Sequence, residues 1–182
     1  MLKQTPSQTV GPYFAYAWTP ELYGRRPLLS NVLTTTDTVG ERIRVEGVVT
    51  DGEGAPIRDC VVEIWQADAQ GRVQPGAAGF GRCGTTEEGL YRFDTVKPGA
   101  TGDGEAPHIA VTVFARGMLA HAFTRVYFAD EERANAEDPT LALVPEDRRS
   151  SLIASRADTP GGAVYRFDIR LQGDRETVFF DL

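Results

Sequence analysis

The sequence predicts an all-β fold, an antiparallel β-sandwich with short helical excursions and an extended N-terminal arm. Three observations carry that expectation. From residue 43 onward, short segments alternate apolar and polar residues with a period of two, the pattern of half-buried strands. Clusters of Gly, Pro and Asp separate these segments at close intervals. Helical periodicity is confined to residues 130–157, so the repeating strand–helix units of a parallel α/β fold are missing. At 182 residues the chain suits one domain, with residues 1–40 as arm and 41–182 as sandwich.

The arm, TPSQTVGPYFAYAWTPELYG, is rich in Pro, Thr and Gly and lacks periodicity. Tyr13, Phe14, Tyr16, Trp18 and Tyr23 make it too aromatic for a solvated tail, so it is expected to lie across a surface, its own or a partner's. In IRVEGVVT (43–50), Ile43, Val45 and Val49 share one face and Arg44 and Glu46 the other. The turn residues DGEGAP (51–56) lead to CVVEIWQAD (60–68), and the two segments read as a hairpin. Residues 69–89 hold six glycines and read as a long loop. Strands follow at LYRFDTV (90–96), HIAVTVFA (108–115) and HAFTRVYFA (121–129), with a loop over 97–107 and a turn around Arg116 and Gly117. DEERANAED and PEDRRSSLIASRA read as helical, the latter with Pro145 at its start and Leu152 and Ile153 inward. VYRFDIRLQ (164–172) and ETVFFDL (176–182) read as the last strands.

Composition excludes several classes. The 41% hydrophobic content is ordinary for a globular chain, and no run of 18 apolar residues is present to span a membrane. MLKQTPSQTV lacks the apolar segment of a secretory leader, which leads to the expectation of a cytoplasmic protein. With 19 basic against 26 acidic residues, the net charge of −7 opposes binding to nucleic acid. Cys60 and Cys83 form no disulfide framework and read as free thiols.

Reactive constellations are sparse. His108 and His121 are the only histidines, and in a hairpin turning near Gly117 they lie roughly 15 Å apart along the strand at about 3.3 Å per residue, too far to share an ion. In PHIAV, a His-x-His pair would aim two imidazoles to one side of the strand, but Ala110 stands in the second place. HExxH, paired cysteines at zinc spacing and a GxSxG elbow do not occur, and GFGRCG (79–84) lacks the GK[ST] of a phosphate loop. Arg125 shares a strand face with Phe123 and Tyr127 and sits within a residue or two of His108 across the ladder. A cation among aromatics needs an anion, which is either a carboxylate of this chain or a bound ligand.

Taken together, TPSQTVGPYF, VEGVVTDGEGAPIRDCVVEIWQAD, YRFDTVKPGA, APHIAVTVFARG, HAFTRVYFADE and YRFDIRLQGDRETVFFDL resemble the intradiol dioxygenase family over nearly the whole chain. The resemblance implies a ferric ion held by two tyrosines and a His-x-His pair in iron-bearing members. His108 matches the first histidine, Ala110 replaces the second, and residues 69–89 and 97–107 contain no tyrosine. The chain thus resembles the iron-free alpha type of a two-chain enzyme, with His108 a vestigial position and neither a metal ligand nor a catalytic residue of its own. The resemblance further implies an iron(III)-bearing beta-chain partner and higher-order assembly of alpha–beta pairs. The implied substrates are protocatechuate and O2, with cleavage between the two hydroxyls in aromatic catabolism by the beta-ketoadipate route. Thr9, Gly11, Pro12 and Tyr13 match a segment lining the pocket at the beta-chain interface, and Arg125 matches an arginine at the substrate site. The alternative is a stand-alone ligand-binding sandwich without catalysis, since fold alone does not fix function.

Overall fold

A computed structural model describes residues 16–102 and 104–181. Among the described residues there are nine strands: β1 (Arg42–Thr50), β2 (Val61–Trp65), β3 (Phe80–Gly84), β4 (Leu90–Val96), β5 (His108–Phe114), β6 (Ala122–Phe128), β7 (Ile153–Thr159), β8 (Gly162–Arg166) and β9 (Ile169–Arg170). Their order is β3-β2-β5-β6-β7-β8-β1-β4, with β9 also on β1. The first four strands form one layer and the last four the other, continuous through two parallel residue pairs between β6 and β7. Five pairings are antiparallel, as expected, while β1–β8, β1–β9 and β6–β7 are parallel.

Strict alternation builds the core. Ile43, Val45 and Val49 of β1 are buried, and so are Ile109, Val111 and Val113 of β5. They meet Phe93, Phe128, Tyr165 and Ile169 in one apolar cluster between the layers. Each such side chain contributes about 1.5–3 kcal/mol on burial. A second cluster, Ala106, Tyr127, Leu141, Val144 and Leu152, lies where α1 (Glu132–Glu137) and α2 (Pro139–Leu143) pack outside β6. Asp138 caps α2 by accepting from the Leu141 amide at 2.7 Å, and Pro139 occupies the first turn, where its lost donor costs nothing.

Several expectations need correction. β1 and β2 do not form a hairpin: the chain turns back only as far as the Thr50–Pro56 bridge, then crosses to the opposite layer, where β2 pairs with β3 and β5. The glycine-rich stretch over 69–89 contains β3, whose partner β2 supplies the order that its own composition does not. The helical reading of 145–157 holds only as a 3-10 helix, Glu146–Leu152; β-branched Ile153 then opens β7. Residues 176–182 are no strand among the described residues. Phe180 makes a single bridge to Phe123, and Thr177 and Val178 use individual bonds to Arg170 and Ser151.

The reading of 164–172 as one strand also fails, for a local reason. β8 and β9 both pair with β1, but between them the Asp168 carboxylate takes the Val48 amide at 3.0 Å in place of a ladder carbonyl. A Cβ on Gly47 would lie 1.8 Å from the Phe167 carbonyl oxygen, so only glycine admits this close approach. The Tyr91 hydroxyl donates to the same oxygen at 2.6 Å.

Part of the arm is built into the sheet. Ser30 accepts from the Arg82 amide of β3, while Asn31 and Leu33 bond to Asp94 of β4, so this segment spans the two ends of the strand order.

Candidate substrate-binding site

The outer face of the first layer carries the candidate site. β5 pairs with β6 so that His108 faces Tyr127 and Ala110 faces Arg125. On the other side of β5, Trp65 is opposite Ala110, and Phe80 is opposite Trp65. One row therefore crosses four strands as Phe80, Trp65, Ala110 and Arg125. Ala110 is exposed, and Trp65, at 41%, is far more open than a tryptophan in a sealed face. The short side chain at 110 thus stands in the row between Trp65 and Arg125. Four residues along β5 from Ala110, Phe114 meets Trp18 edge-on at 4.4 Å, and the Arg82 guanidinium stands over the Trp18 ring at 5.7 Å. The described end of the arm thus lies on the chain's own surface. Thr9, Gly11, Pro12 and Tyr13 lie outside the described residues.

Arg125 is half committed. Its Nη1 donates to Glu105 Oε1 at 2.9 Å and makes a long 3.5 Å approach to the Tyr127 hydroxyl. Nε and Nη2 have no partner among the described residues, and that edge is the fork that binds a carboxylate bidentately. Glu105 is held in turn, its Oε2 accepting from Thr101 at 2.8 Å. Burial works against ionisation of Glu105, but the hydrogen bonds from Arg125 and Thr101 outweigh it and keep its carboxyl below the usual range. Behind Arg125, Tyr127 donates to Asp138 at 3.1 Å, and Asp138 is fully buried with the Ala106 and Leu141 amides as further donors. Burial is the main cause that pushes the Tyr127 phenol well above its ordinary pKa, so it acts as a neutral donor.

His108 borders this cluster without joining it. Its Nδ1 lies 2.8 Å from the Ala106 carbonyl, which makes Nδ1 the protonated nitrogen of the neutral ring, and the ring stacks at a tilt on Tyr127 at 5.7 Å. Burial lowers its pKa, and the nearby Arg125 adds to that. A ferric ion does not fit these residues. Among the described residues, Ala110 offers no ligand atom, the neighbouring Glu105 carboxylate is taken by Arg125, and Tyr127 is engaged with Asp138. Among the described residues, no group of three or more His, Cys, Asp and Glu side chains is placed to hold a metal. The His121 ring lies 5.4 Å from that of Phe114, which is six positions along β5 from His108, or about 20 Å at 3.3 Å per residue.

The other candidates for chemistry are structural. Cys60 is buried in the core, and burial pushes its thiol up to about 12, far from a thiolate at neutral pH. The sequence pattern pointed to Arg125 but not to Glu105, Thr101 or Asp138. Glu105 sits in the KPGATGDGEAP turn run, where nothing distinguishes it from a solvated acid. Asp138 had a local signal in its Asp-Pro dipeptide, which marks a helix start.

A family model described as Dioxygenase matches residues 11–173. The protocatechuate 3,4-dioxygenase alpha chain of Burkholderia cepacia is 50% identical over 194 residues, covering all of this chain and 98% of that one. The chain belongs to the dioxygenase family. The protocatechuate 3,4-dioxygenase beta chain of Burkholderia cepacia is 38% identical over 167 residues, covering 80% of this chain and 71% of its own length. Among solved structures, the dioxygenase domain of a carbohydrate-binding fusion protein from Streptomyces sp. SirexAA-E superposes with a TM-score of 0.68 at 26% identity, over 94% of this chain and 99% of that domain. This chain therefore shares its fold with the Streptomyces domain, and in sequence it stands nearer the alpha chain than the beta. No helix among the described residues is long and apolar enough to cross a membrane.

Proposed function

We propose that this chain is the iron-free alpha subunit of a cytoplasmic protocatechuate 3,4-dioxygenase, active only when paired with an iron(III)-bearing beta chain. The observation that carries the reading is the pairing of a full-length alpha-type match with a donor set at His108 and Ala110 that cannot hold the ion. The ferric ion of the partner supplies the chemistry that makes the catecholate reactive toward O2. The product is 3-carboxy-cis,cis-muconate. This chain contributes recognition: the free edge of Arg125 takes the carboxylate that distinguishes protocatechuate from catechol, and the segment from Thr9 to Tyr13 lines the pocket from the arm. Alpha–beta pairs then associate further.

The test is expression with and without a beta chain. Alone, the purified chain is expected to carry no stoichiometric iron and to cleave no protocatechuate; together, a coloured ferric enzyme is expected, with the two chains in one particle by native mass. Ring cleavage by the isolated chain, or a stable monomer that ignores the beta chain, would overturn the reading.

A further inference from the structure

We propose that Glu105 is a positioning residue for substrate recognition: it fixes the Arg125 guanidinium by one nitrogen so that the Nε–Nη2 edge is presented to the substrate carboxylate. The inference rests on the reading of Arg125 as the carboxylate-binding group and adds a role that this reading does not require.

The geometry carries it. A free arginine has about four rotatable bonds to freeze when it captures an anion, and each ordered long side chain takes its cost from the affinity. Here that ordering precedes the ligand. Glu105 holds Nη1 alone, at 2.9 Å, and leaves the bidentate edge untouched. A carboxylate that sought only charge neutralisation would take the fork of two donors, which is the stronger pairing. Glu105 is prevented from doing so because Thr101 anchors its second oxygen at 2.8 Å and pins it to the loop before β5. The Tyr127 hydroxyl lies on the same side, since it too meets Nη1, and it is held in turn by Asp138, which two backbone amides fix. The pairing register places Arg125 opposite the small, exposed Ala110, with Trp65 on the far side. An acid whose role is to position the cation must keep an acceptor at Oε1 but not a full charge, and this separates it from a simple counter-ion.

The experiment uses the assembled alpha–beta enzyme and measures kcat and KM for protocatechuate and for catechol, which lacks the carboxylate. Glu105→Ala is expected to raise KM for protocatechuate about fivefold, the order of the cost of re-freezing one long side chain, with kcat and the KM for catechol little changed. Glu105→Gln keeps an acceptor and is expected to restore most of the loss. Thr101→Val, a milder change, is expected to shift KM in the same selective sense by less. The proposal is overturned if Glu105→Ala leaves KM for protocatechuate unchanged or lowers it, if both substrates shift alike, or if Gln is no better than Ala. Arg125→Ala separates the two levels of the argument. If it moves both substrates equally, the carboxylate role of Arg125 fails and this inference with it; if it is selective while Glu105→Ala is silent, only the positioning role fails.

Discussion

Two arginine clusters on this sandwich have the same ingredients and opposite completeness. Arg156 on β7 is saturated: Nη1 bonds Asp130 and the Tyr165 hydroxyl, Nη2 bonds Glu41 and Asp158, and Nε bonds Asp158, while the guanidinium stands 5.5 Å over the Tyr165 ring. Arg125 on β6 also has a tyrosine and a carboxylate beside it, but one nitrogen alone is engaged among the described residues. Both side chains are about equally withdrawn from solvent, at 28% and 24% exposed. Burial therefore does not distinguish them; the count of donors left over does. A saturated cation holds the fold, and an unsaturated one is available to a ligand.

The sharpest way to break that distinction is at Asp130. This carboxylate joins β6 to β4, β7 and β8, since it takes hydrogen bonds from Lys97, Arg156 and Tyr165. Asp130→Ala is expected to cost about 2 kcal/mol in urea unfolding, less than the about 3–5 kcal/mol for a fully buried pair because water reaches this one. Burial opposes ionisation of Asp130, yet the bonds from Lys97 and Tyr165 prevail and hold its carboxyl below the ordinary value. Its stabilisation is thus complete above the unfolded carboxylate pKa of about 3.9 and is lost as pH falls through the lower folded value. The variant should accordingly lose part of the wild-type acid sensitivity below about pH 4. If Asp130→Ala unfolds at the wild-type urea midpoint, saturation is no sign of a structural role.

A finer contrast comes from the two buried tyrosine hydroxyls. Tyr165 donates to Asp130 at 2.9 Å and accepts from Arg156 at 2.7 Å, so Tyr165→Phe breaks both and should cost about 1–2 kcal/mol. Tyr127→Phe removes a 3.1 Å bond to an Asp138 that keeps two amide donors, together with the long 3.5 Å contact from Arg125, so its cost should stay below about 1 kcal/mol. Its effect should appear instead in the assembled enzyme, as a raised KM for the carboxylated substrate. Equal destabilisation by the two variants would erase the difference between the clusters.

How much of this was legible beforehand follows from the range of each interaction. The alternation in IRVEGVVT and HIAVTVFA gave the buried faces correctly, because the face a strand residue takes depends only on its immediate neighbours in sequence. Which strands pair depends on the whole sheet, and there the expected β1–β2 hairpin failed. β3 was invisible because Gly81 and Gly84 dilute its periodicity; both are packed closely, Gly81 against Leu33 and Phe93, and Gly84 against Thr19 and Leu22. Arg125 could be singled out because a cation between aromatics stands out on its own strand. Glu105 could not, since its partner is 20 positions away and its surroundings read as turn.

The smallest expected effect bears on His108, the position that family resemblance marks as vestigial and the structure places at the edge of the open cluster. Burial lowers its pKa in the folded chain, with the positive charge of Arg125 acting in the same direction. An unfolded histidine takes up its proton near pH 6.5, so as pH falls below that value the unfolded state gains protons that the folded state resists. Stability then declines from about pH 6.5 downward until the folded pKa is passed, with a slope of at most about 1.4 kcal/mol per pH unit for one proton. Replacement by Gln, which can also donate to the Ala106 carbonyl but does not titrate, should flatten that decline and leave the acid loss below about pH 4 in place, because that loss comes from carboxylates such as Asp130 and Glu105. A His108→Gln variant whose urea midpoint follows the wild-type curve between about pH 5 and 7 would mean that the ring titrates alike in both states. In that case the half-buried setting and the neighbouring guanidinium do not act on it, and Arg125 is more fully neutralised by Glu105 than an open anion-binding edge allows.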